Sequence, residues 1–290
     1  REYLKAKIEA LGLSSFKFIP LDQNYGFAKG NNIGIALSDP KSELIVLLNN
    51  DTEVKPDWLE KLVDFMQKHK EIGVAQCKLL SLKNKQLIDS AGGAIDQIGR
   101  VYIIGQGKPD SKKFENSYEI FYAQGAAMVI RREILKRIGL LDEDYFIYYE
   151  ETDLCWRAWL NGIKVAFIPD SIVYHYGSGV TFSSHGNSSN PFMVYHGRKN
   201  QICTLLKNYS LKALVKSIPY LYFVDAMLII KFLIKKQPKY ALMLIFAMLW
   251  PIVHMKSLLY KQKIVQRYIR KVPDEEVIKK FILRRRPKSQ

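Results

Sequence analysis

Apolar positions follow two spacings along this chain, and the spacing predicts where strands and helices fall. Leu44–Leu48 is an unbroken apolar run of strand length, β-branched at its centre. It predicts a strand buried on both faces, as in a parallel sheet covered by helices. Gly73–Leu80, Ile163–Pro169 and Ser171–Tyr176 read as further extended segments, and Phe16–Leu21 alternates like a short strand that Pro20 ends. Phe121–Ile130 is apolar, with small residues at its middle. Helical spacing appears at Leu4, Ile8 and Leu11, with Gly12 as a stop, and again after Pro56, where Leu59, Leu62, Val63 and Met66 form a stripe. Arg131–Ile138 reads as a short helix closed by Gly139, and another begins near Glu150 with Leu154, Ala158 and Leu160 as apolar positions.

The polar breaks between these runs carry the candidate chemistry. The Leu44–Leu48 run stops at Asn49, Asn50, Asp51, Thr52 and Glu53. Acids at the carboxyl end of a parallel strand sit where open α/β folds bind ligands, and oxygen donors there suit Mg2+ or Mn2+ bridging to a diphosphate. A plain polar loop after a core strand has the same composition. Asn24, Gly26, Lys29, Gly30, Asn31 and Asn32 precede a helical run at Ile33–Leu37. That pattern predicts a loop feeding a helix N-terminus, which favours phosphate, although such clusters also serve as simple turns. Gly125 and Ala126 leave room for a ligand or another backbone to approach.

Glu150, Glu151 and Asp153 place three carboxylates within four residues at a predicted helix start, behind Phe146, Tyr148 and Tyr149. Such acids can simply cap the helix dipole. Desolvation by the aromatics would instead raise a carboxylate's pKa and make it a better base. His175 ends an extended run; it is a structural histidine or, if the fold brings it to Asp51, a partner of that acid.

Charge alters the picture of the last third. Residues 191–290 hold 21 Lys and Arg against 4 Asp and Glu, a balance of +17, whereas the remainder holds 23 against 24. A helical tail opens near Tyr195, and its apolar runs Ser217–Ile234 and Tyr240–Met255 are broken by Asp225, Lys231 and Pro251. Each is near or below the roughly 18–20 apolar residues that span a bilayer. Lys235, Lys236, Lys239, Lys256, Lys261 and Lys263 flank them, which fits helices lying on an anionic membrane surface, with a spanning hairpin as the competitor. Nucleic acid is a poor partner, because it leaves the apolar runs without a role. Cys77, Cys155 and Cys203 are far apart and form no CxxC pair, which argues against a disulfide framework or a zinc site.

The order of the motifs is more specific than any one of them. NYGFAKGNNIG, LLNNDTEVKPDWL, GAAMVIRREILKRIGLLDEDYF, YYEETDLCWRAWLNG and VYH follow one another, and together they resemble an inverting family-2 glycosyltransferase of the GT-A fold, in its bacterial rhamnosyltransferase-like branch. The resemblance covers roughly residues 1–210. It implies an α/β fold: a Rossmann-like mixed sheet with helices on both faces over residues 1–190, then a membrane-associated helical region over 191–290. It implies that Asn49–Asp51 occupies the family's Asp-x-Asp position, with Asp51 and His175 holding Mg2+ or Mn2+ and Asn49 replacing the first acid. Glu151 matches the general base beside Glu150, with Asp153 as a third catalytic acid, and Asp153 and Arg157 organise that helix start and the acceptor pocket. Asn24, Gly26, Lys29, Asn31, Asn32, Asn49, Asn50, Gly125 and Ala126 fall where the donor lies.

The implied reaction moves a sugar from a nucleotide-diphospho-sugar (dTDP-rhamnose or a UDP-sugar) to a hydroxyl of a lipid-linked or polysaccharide acceptor. Its place is the cytoplasmic face of the plasma membrane, as a peripheral or monotopic protein. The family pattern also expects a strand, a loop, a helix and a second strand with an Asp-rich nucleotide loop before Arg1. An inactive membrane-bound remnant and a nucleotidyltransferase are the other readings.

Overall fold

The computed structural model describes residues 16–177 and 190–283. The helix expected over Arg1–Leu11 lies outside them. In chain order the first elements are α1 (Gly26–Leu37), β1 (Leu44–Leu48), β2 (Thr52–Val54), α2 (Trp58–Lys68), β3 (Ile72–Ser81), β4 (Ile88–Ser90), β5 (Gly93–Asp96), β6 (Val101–Ile103) and β7 (Tyr118–Glu119). Then come β8 (Ala127–Arg131), α3 (Arg132–Ile138), α4 (Glu150–Leu160) and β9 (Lys164–His175). Five strands form a mixed sheet in the order β1-β8-β3-β9-β2, with β4 paired to β3 and β7 to β9.

β3 is the strand buried along nearly its whole length, and it runs parallel to β9. β1 corrects the first expectation. It pairs antiparallel with β8 and, among the described residues, has no partner on its other side. Ile45 and Leu47 are buried, Leu44 and Val46 only partly so, and Leu48 is 42% exposed. Because β8 is antiparallel to both β1 and β3, those two strands still run the same way. The carboxyl ends of β1, β3 and β9 therefore share one edge of the sheet.

Two further expectations change. Phe16–Leu21 is not a strand: among the described residues it joins no ladder, and Phe16 and Ile19 are exposed. The two extended runs at 163–176 are one strand, β9, whose register against β3 slips between Cys77 and Lys78, opposite the Pro169 region.

Helices cover both faces. On one, Leu62 and Met66 of α2 pack on Ala75, Cys77, Leu79, Val129 and Ile168, while Leu59 of the expected stripe is exposed. On the other, Ala28 and Ile35 of α1 and Leu154, Trp156 and Leu160 of α4 meet Ile45, Leu47, Val74, Ile130 and Phe167. α4 is buried on all sides rather than on one stripe.

The covering comes from the C-terminal third: α5 (Pro191–Asn208), α6 (Leu211–Ile234), α7 (Pro238–Val253), α8 (Met255–Ile264) with its π-helical continuation, α9 (Asp274–Phe281) and β10 (Ile282–Leu283). α5 is largely buried, and Tyr209 just after it meets Trp156 edge-on at 4.8 Å. Phe281 lies on Trp159, and β10 pairs with β5. α6 buries Leu214, Ser217, Leu221, Asp225 and Phe232, a stripe along its full length, and Asp225 pairs with Arg198 of α5 at 3.2 Å. Its other side exposes Leu211, Val215, Phe223, Ile230 and Ile234, and α7 exposes Phe246, Leu249 and Val253.

Candidate active site

The sequence places its acids at the sheet edge shared by β1, β3 and β9. β1 ends at Leu48, the chain turns through Asn49–Asp51, and β2 returns alongside β9 with Thr52 opposite His175. The turn is closed by Thr52 Oγ1 donating to the Asn49 carbonyl at 2.6 Å, and Tyr176 N–H donates to the Asp51 carbonyl at 2.9 Å. Asp51 Oδ1 consequently lies 3.3 Å from His175 Nε2, while the other ring nitrogen faces Asp89 Oδ2 at 2.8 Å. The Asp89 hydrogen bond, with help from Asp51, raises the His175 pKa against the opposing effect of burial.

Two converging donors, one carboxylate and one imidazole, fit a divalent cation whose other positions go to phosphate oxygens and water. No group of three or more His, Cys, Asp or Glu suited to hold a metal occurs among the described residues. The fit therefore requires the substrate's own oxygens.

The small-residue segment borders the same edge. Asn49 N–H donates to the Ala126 carbonyl at 3.0 Å, and a Cβ on Gly125 would come within 2.5 Å of the Phe27 ring, so only glycine fits. Gln76, buried at the centre of β3, accepts from Gln124 N–H at 2.8 Å and donates to the Ser90 hydroxyl at 3.0 Å. One amide thus joins the 124–126 segment to β4, the strand carrying Asp89.

The carboxylate pair reaches this segment from α4. Cys155 Sγ accepts from Ala123 N–H at 3.4 Å, and Glu151 stands one helical turn earlier on the same face. Glu150 is buried, Glu151 partly so, and each leaves an oxygen without a hydrogen-bond partner. Burial, and then the neighbouring Glu151, pushes the Glu150 pKa well above its ordinary value. Burial pushes Glu151 to about 7. At neutral pH Glu150 keeps its proton and Glu151 is poised to exchange one.

Before the pair, Phe146, Tyr148 and Tyr149 all take φ between 60° and 71°. For aromatic side chains this backbone costs about 1–3 kcal/mol each. α5 holds it in place. Asn200, fully buried, donates to the carbonyls of Tyr145, Ile147 and Tyr148 at 2.9, 2.8 and 2.7 Å. Tyr149 OH donates to the Gly99 carbonyl at 2.8 Å. Asn200 was legible only as part of a basic helix; its partners are about 52–55 residues away, so no local pattern marks it.

Several expected residues sit elsewhere. Asp153 has no exposed surface and faces no substrate: Arg157 Nε lies 2.9 Å and Lys207 Nζ 3.0 Å away, and Asn208 donates to it at 2.9 Å. Burial would raise its pKa, but Lys207 and Arg157 outweigh that and hold it below the usual value. The expected loop at Asn24–Asn32 is mostly helix, since α1 starts at Gly26. Its first N–H groups are taken: Gly26 N–H by Asn24 Oδ1, and those of Phe27 and Ala28 by the Phe146 carbonyl. Gly26 has φ +77° and no room for a Cβ beside Phe146. Asn32 is buried on Leu141 and Glu143, Asn31 donates to the Phe27 carbonyl, and Lys29 Nζ lies over the Tyr25 ring. Asn50 is exposed beside Asp51. α1 thus braces the strained Phe146 loop.

Residues 12–190 match the model of the family described as glycosyltransferase-like family 2, more than half of the chain. The chain belongs to that family. It is 25% identical over 199 residues to the dTDP-rhamnosyl transferase RfbF of Shigella flexneri, covering 66% of this chain and 63% of that one. It is 26% identical over 153 residues to the low-salt glycan biosynthesis hexosyltransferase Agl10 of Haloferax volcanii, covering 51% and 48%. The chain thus spans between about half and just under two thirds of the length of these relatives. The crystal structure of GalNAc-T7 with UDP, GalNAc and Mn2+ superposes with a TM-score of 0.54 at 20% identity, covering 73% of this chain and 40% of that one. That likeness is one of fold, and it agrees with the GT-A sheet expected from the motif order.

Proposed function

We propose that this family-2 chain transfers a hexose with inversion from a nucleotide-diphospho-sugar, dTDP-rhamnose or a UDP-sugar, to a hydroxyl of a lipid-linked or polysaccharide acceptor. The observation that carries the reading is the convergence of two unlike acid groups on one segment. The Asp51–His175 pair borders Gly125–Ala126 through Asn49, and the desolvated Glu150–Glu151 pair borders it through Cys155 and Ala123. The names of the relatives favour a sugar-nucleotide donor, dTDP-rhamnose in one case.

Asp51 and His175 would hold the divalent cation, Mg2+ or Mn2+. When bound, it supplies positive charge against the diphosphate leaving group. Gly125, against which the Phe27 ring packs, and Ala126 would border the donor sugar through their backbone. Asn49 stands in place of the motif's first acid and offers an amide to the donor; Asn50 and Asp51 complete that turn. Glu151 takes the proton from the acceptor hydroxyl as the hydroxyl attacks the anomeric carbon. Glu150, kept protonated by burial, adds no second negative charge beside it. General-base assistance of this kind contributes about 10²–10⁴ in rate.

The acceptor's lipid would be met by α6 and α7. α6 is, among the described residues, the one single helix long and apolar enough to cross a membrane, with a mean hydropathy of 1.7. Yet its buried stripe, from Leu214 to Phe232, packs on the core, on Val194 of α5 and on Ala241 and Leu244 of α7, and its Asp225 pairs with Arg198 of α5. Spanning would strip those contacts and expose the Arg198–Asp225 pair. The reading is therefore monotopic: the helices lie in the interface of an anionic cytoplasmic leaflet, with Lys235, Lys236 and Lys239 beside the apolar surface.

Incubating the full chain with nucleotide-sugars labelled separately in sugar and nucleotide tests the reaction. Sugar label in the acceptor supports it, and nucleotide label identifies a nucleotidyltransferase. Carbonate extraction tests the placement, because release into the supernatant excludes a spanning hairpin. For a chain kept in the pellet, protease protection of the Lys235–Lys239 turn from one side of sealed vesicles contradicts the monotopic placement, and its accessibility from the cytoplasmic side supports it.

A further inference from the structure

His175 is held between two carboxylates, and the sheet explains why. β9 pairs with β3 up to Ser81 opposite His175. β4 returns along the other side of β3 with a register slip between Leu79 and Leu80, so Ser90 and Ile88 are paired and Asp89 lies between them. Ile88 and Ser90 are buried, which turns Asp89 to the opposite face, toward the imidazole. β4 is itself pinned: Gln76 donates to the Ser90 hydroxyl, and Ile88 N–H donates to the Lys108 carbonyl at 2.8 Å.

We infer that Asp89 is the residue that positions His175 for cation binding, by accepting the Nδ1 proton at 2.8 Å and so leaving the Nε2 lone pair directed toward Asp51. The inference rests on the reading of Asp51 and His175 as cation ligands. An imidazole binds a metal through one nitrogen only, and the hydrogen bond at the other nitrogen decides which. Asp89 meets the opposite ring nitrogen from the one facing Asp51, so it is a positioning residue and not a ligand.

The test uses the full chain and two readouts. The first is the ¹⁵N spectrum of the His175 imidazole in metal-free protein, at a pH where the ring is neutral. Wild type should show Nδ1 protonated, and Asp89→Ala should shift the population toward Nε2. The second is Mn2+ affinity by electron paramagnetic resonance in the presence of a saturating nucleoside diphosphate, whose phosphate oxygens complete the site. Asp89→Ala should weaken it about 10–100-fold, and Asp89→Asn, which keeps an acceptor oxygen, should fall between. Near-ultraviolet circular dichroism shows whether each variant is folded, and Asp89→Asn serves if Asp89→Ala is not. An unchanged tautomer or an unchanged Mn2+ affinity in a folded variant overturns the role of Asp89 and leaves the cation site standing. Absence of Mn2+ binding to wild type overturns the cation site itself, and the inference with it.

Discussion

The side-chain amide of Asn200, on α5, donates to the Tyr148 carbonyl at 2.7 Å, two residues before the carboxylate pair. The same amide reaches Tyr145 and Ile147, so a helix from the C-terminal third holds the backbone that presents Glu151. Each such bond contributes about 0.5–1.5 kcal/mol, enough together to offset much of the cost of three aromatic residues at positive φ. Asn200→Ala should lower kcat by an order of magnitude or more and leave the donor Kd unchanged. Steady-state kinetics with equilibrium binding of the nucleotide-sugar checks this; a loss confined to donor binding contradicts it.

Glu151→Gln separates catalysis from stability. The base is lost, so turnover should fall about 10²–10⁴-fold. Stability should move the other way. The Glu151 pKa is raised in the folded chain, from 4.5 to about 7. Its contribution is therefore full below about pH 4.5 and lost as pH rises through 7. A neutral amide removes that loss, and the variant should melt about 5 °C higher than wild type at pH 8, with little difference at pH 5. Calorimetry at the two pH values decides it.

The same pKa predicts the pH profile of the reaction. A base must be unprotonated to act, so kcat should rise with pH through about 7 and level off above it. A profile flat from pH 5.5 to 8.5 rules out Glu151 as the titrating base.

The charge network behind α4 titrates in the opposite sense. Lys207 and Lys261 outweigh burial and hold Asp142 well below the usual carboxylate range; Lys207 and Arg157 do the same for Asp153. That stability is present above about pH 4 and lost as pH falls below it. Lys207→Met leaves two buried carboxylates short of a partner and should cost about 3–5 kcal/mol. Urea denaturation at pH 7 measures it, and a near-neutral substitution contradicts the network's role.

How much of this could be read from residues alone follows a physical line. Asp51, Glu150 and Glu151 were legible because each ends an apolar run or opens a helix, which is local information. The meeting of Asp51 with His175 came from motif order, and the ladder Thr52–His175 supplies its geometry. Asp153 reads as a site residue because helical spacing does not reveal that a fourth side is covered. α5 does that covering, and its basic composition reads as a solvated or membrane-facing helix. In fact Lys199 bonds to the Asp144 carbonyl and Lys207 to Asp142. The glycine–asparagine stretch departs from the expected loop for a related reason. Its helix start is occupied by the Phe146 carbonyl, a partner 119 positions away by number from Phe27.

The central claim is that Glu151 draws the proton from an acceptor hydroxyl at a site shared with Asp51 and His175. Its most direct measurement is transfer of labelled sugar from dTDP-rhamnose and UDP-sugars to a lipid-linked acceptor in anionic vesicles, by the full chain and by Glu151→Gln. The account predicts sugar label in the acceptor with inverted anomeric configuration, and a loss of about 10²–10⁴-fold in the variant that still binds donor. Transfer at the wild-type rate by folded Glu151→Gln, or a product that retains configuration, would contradict it.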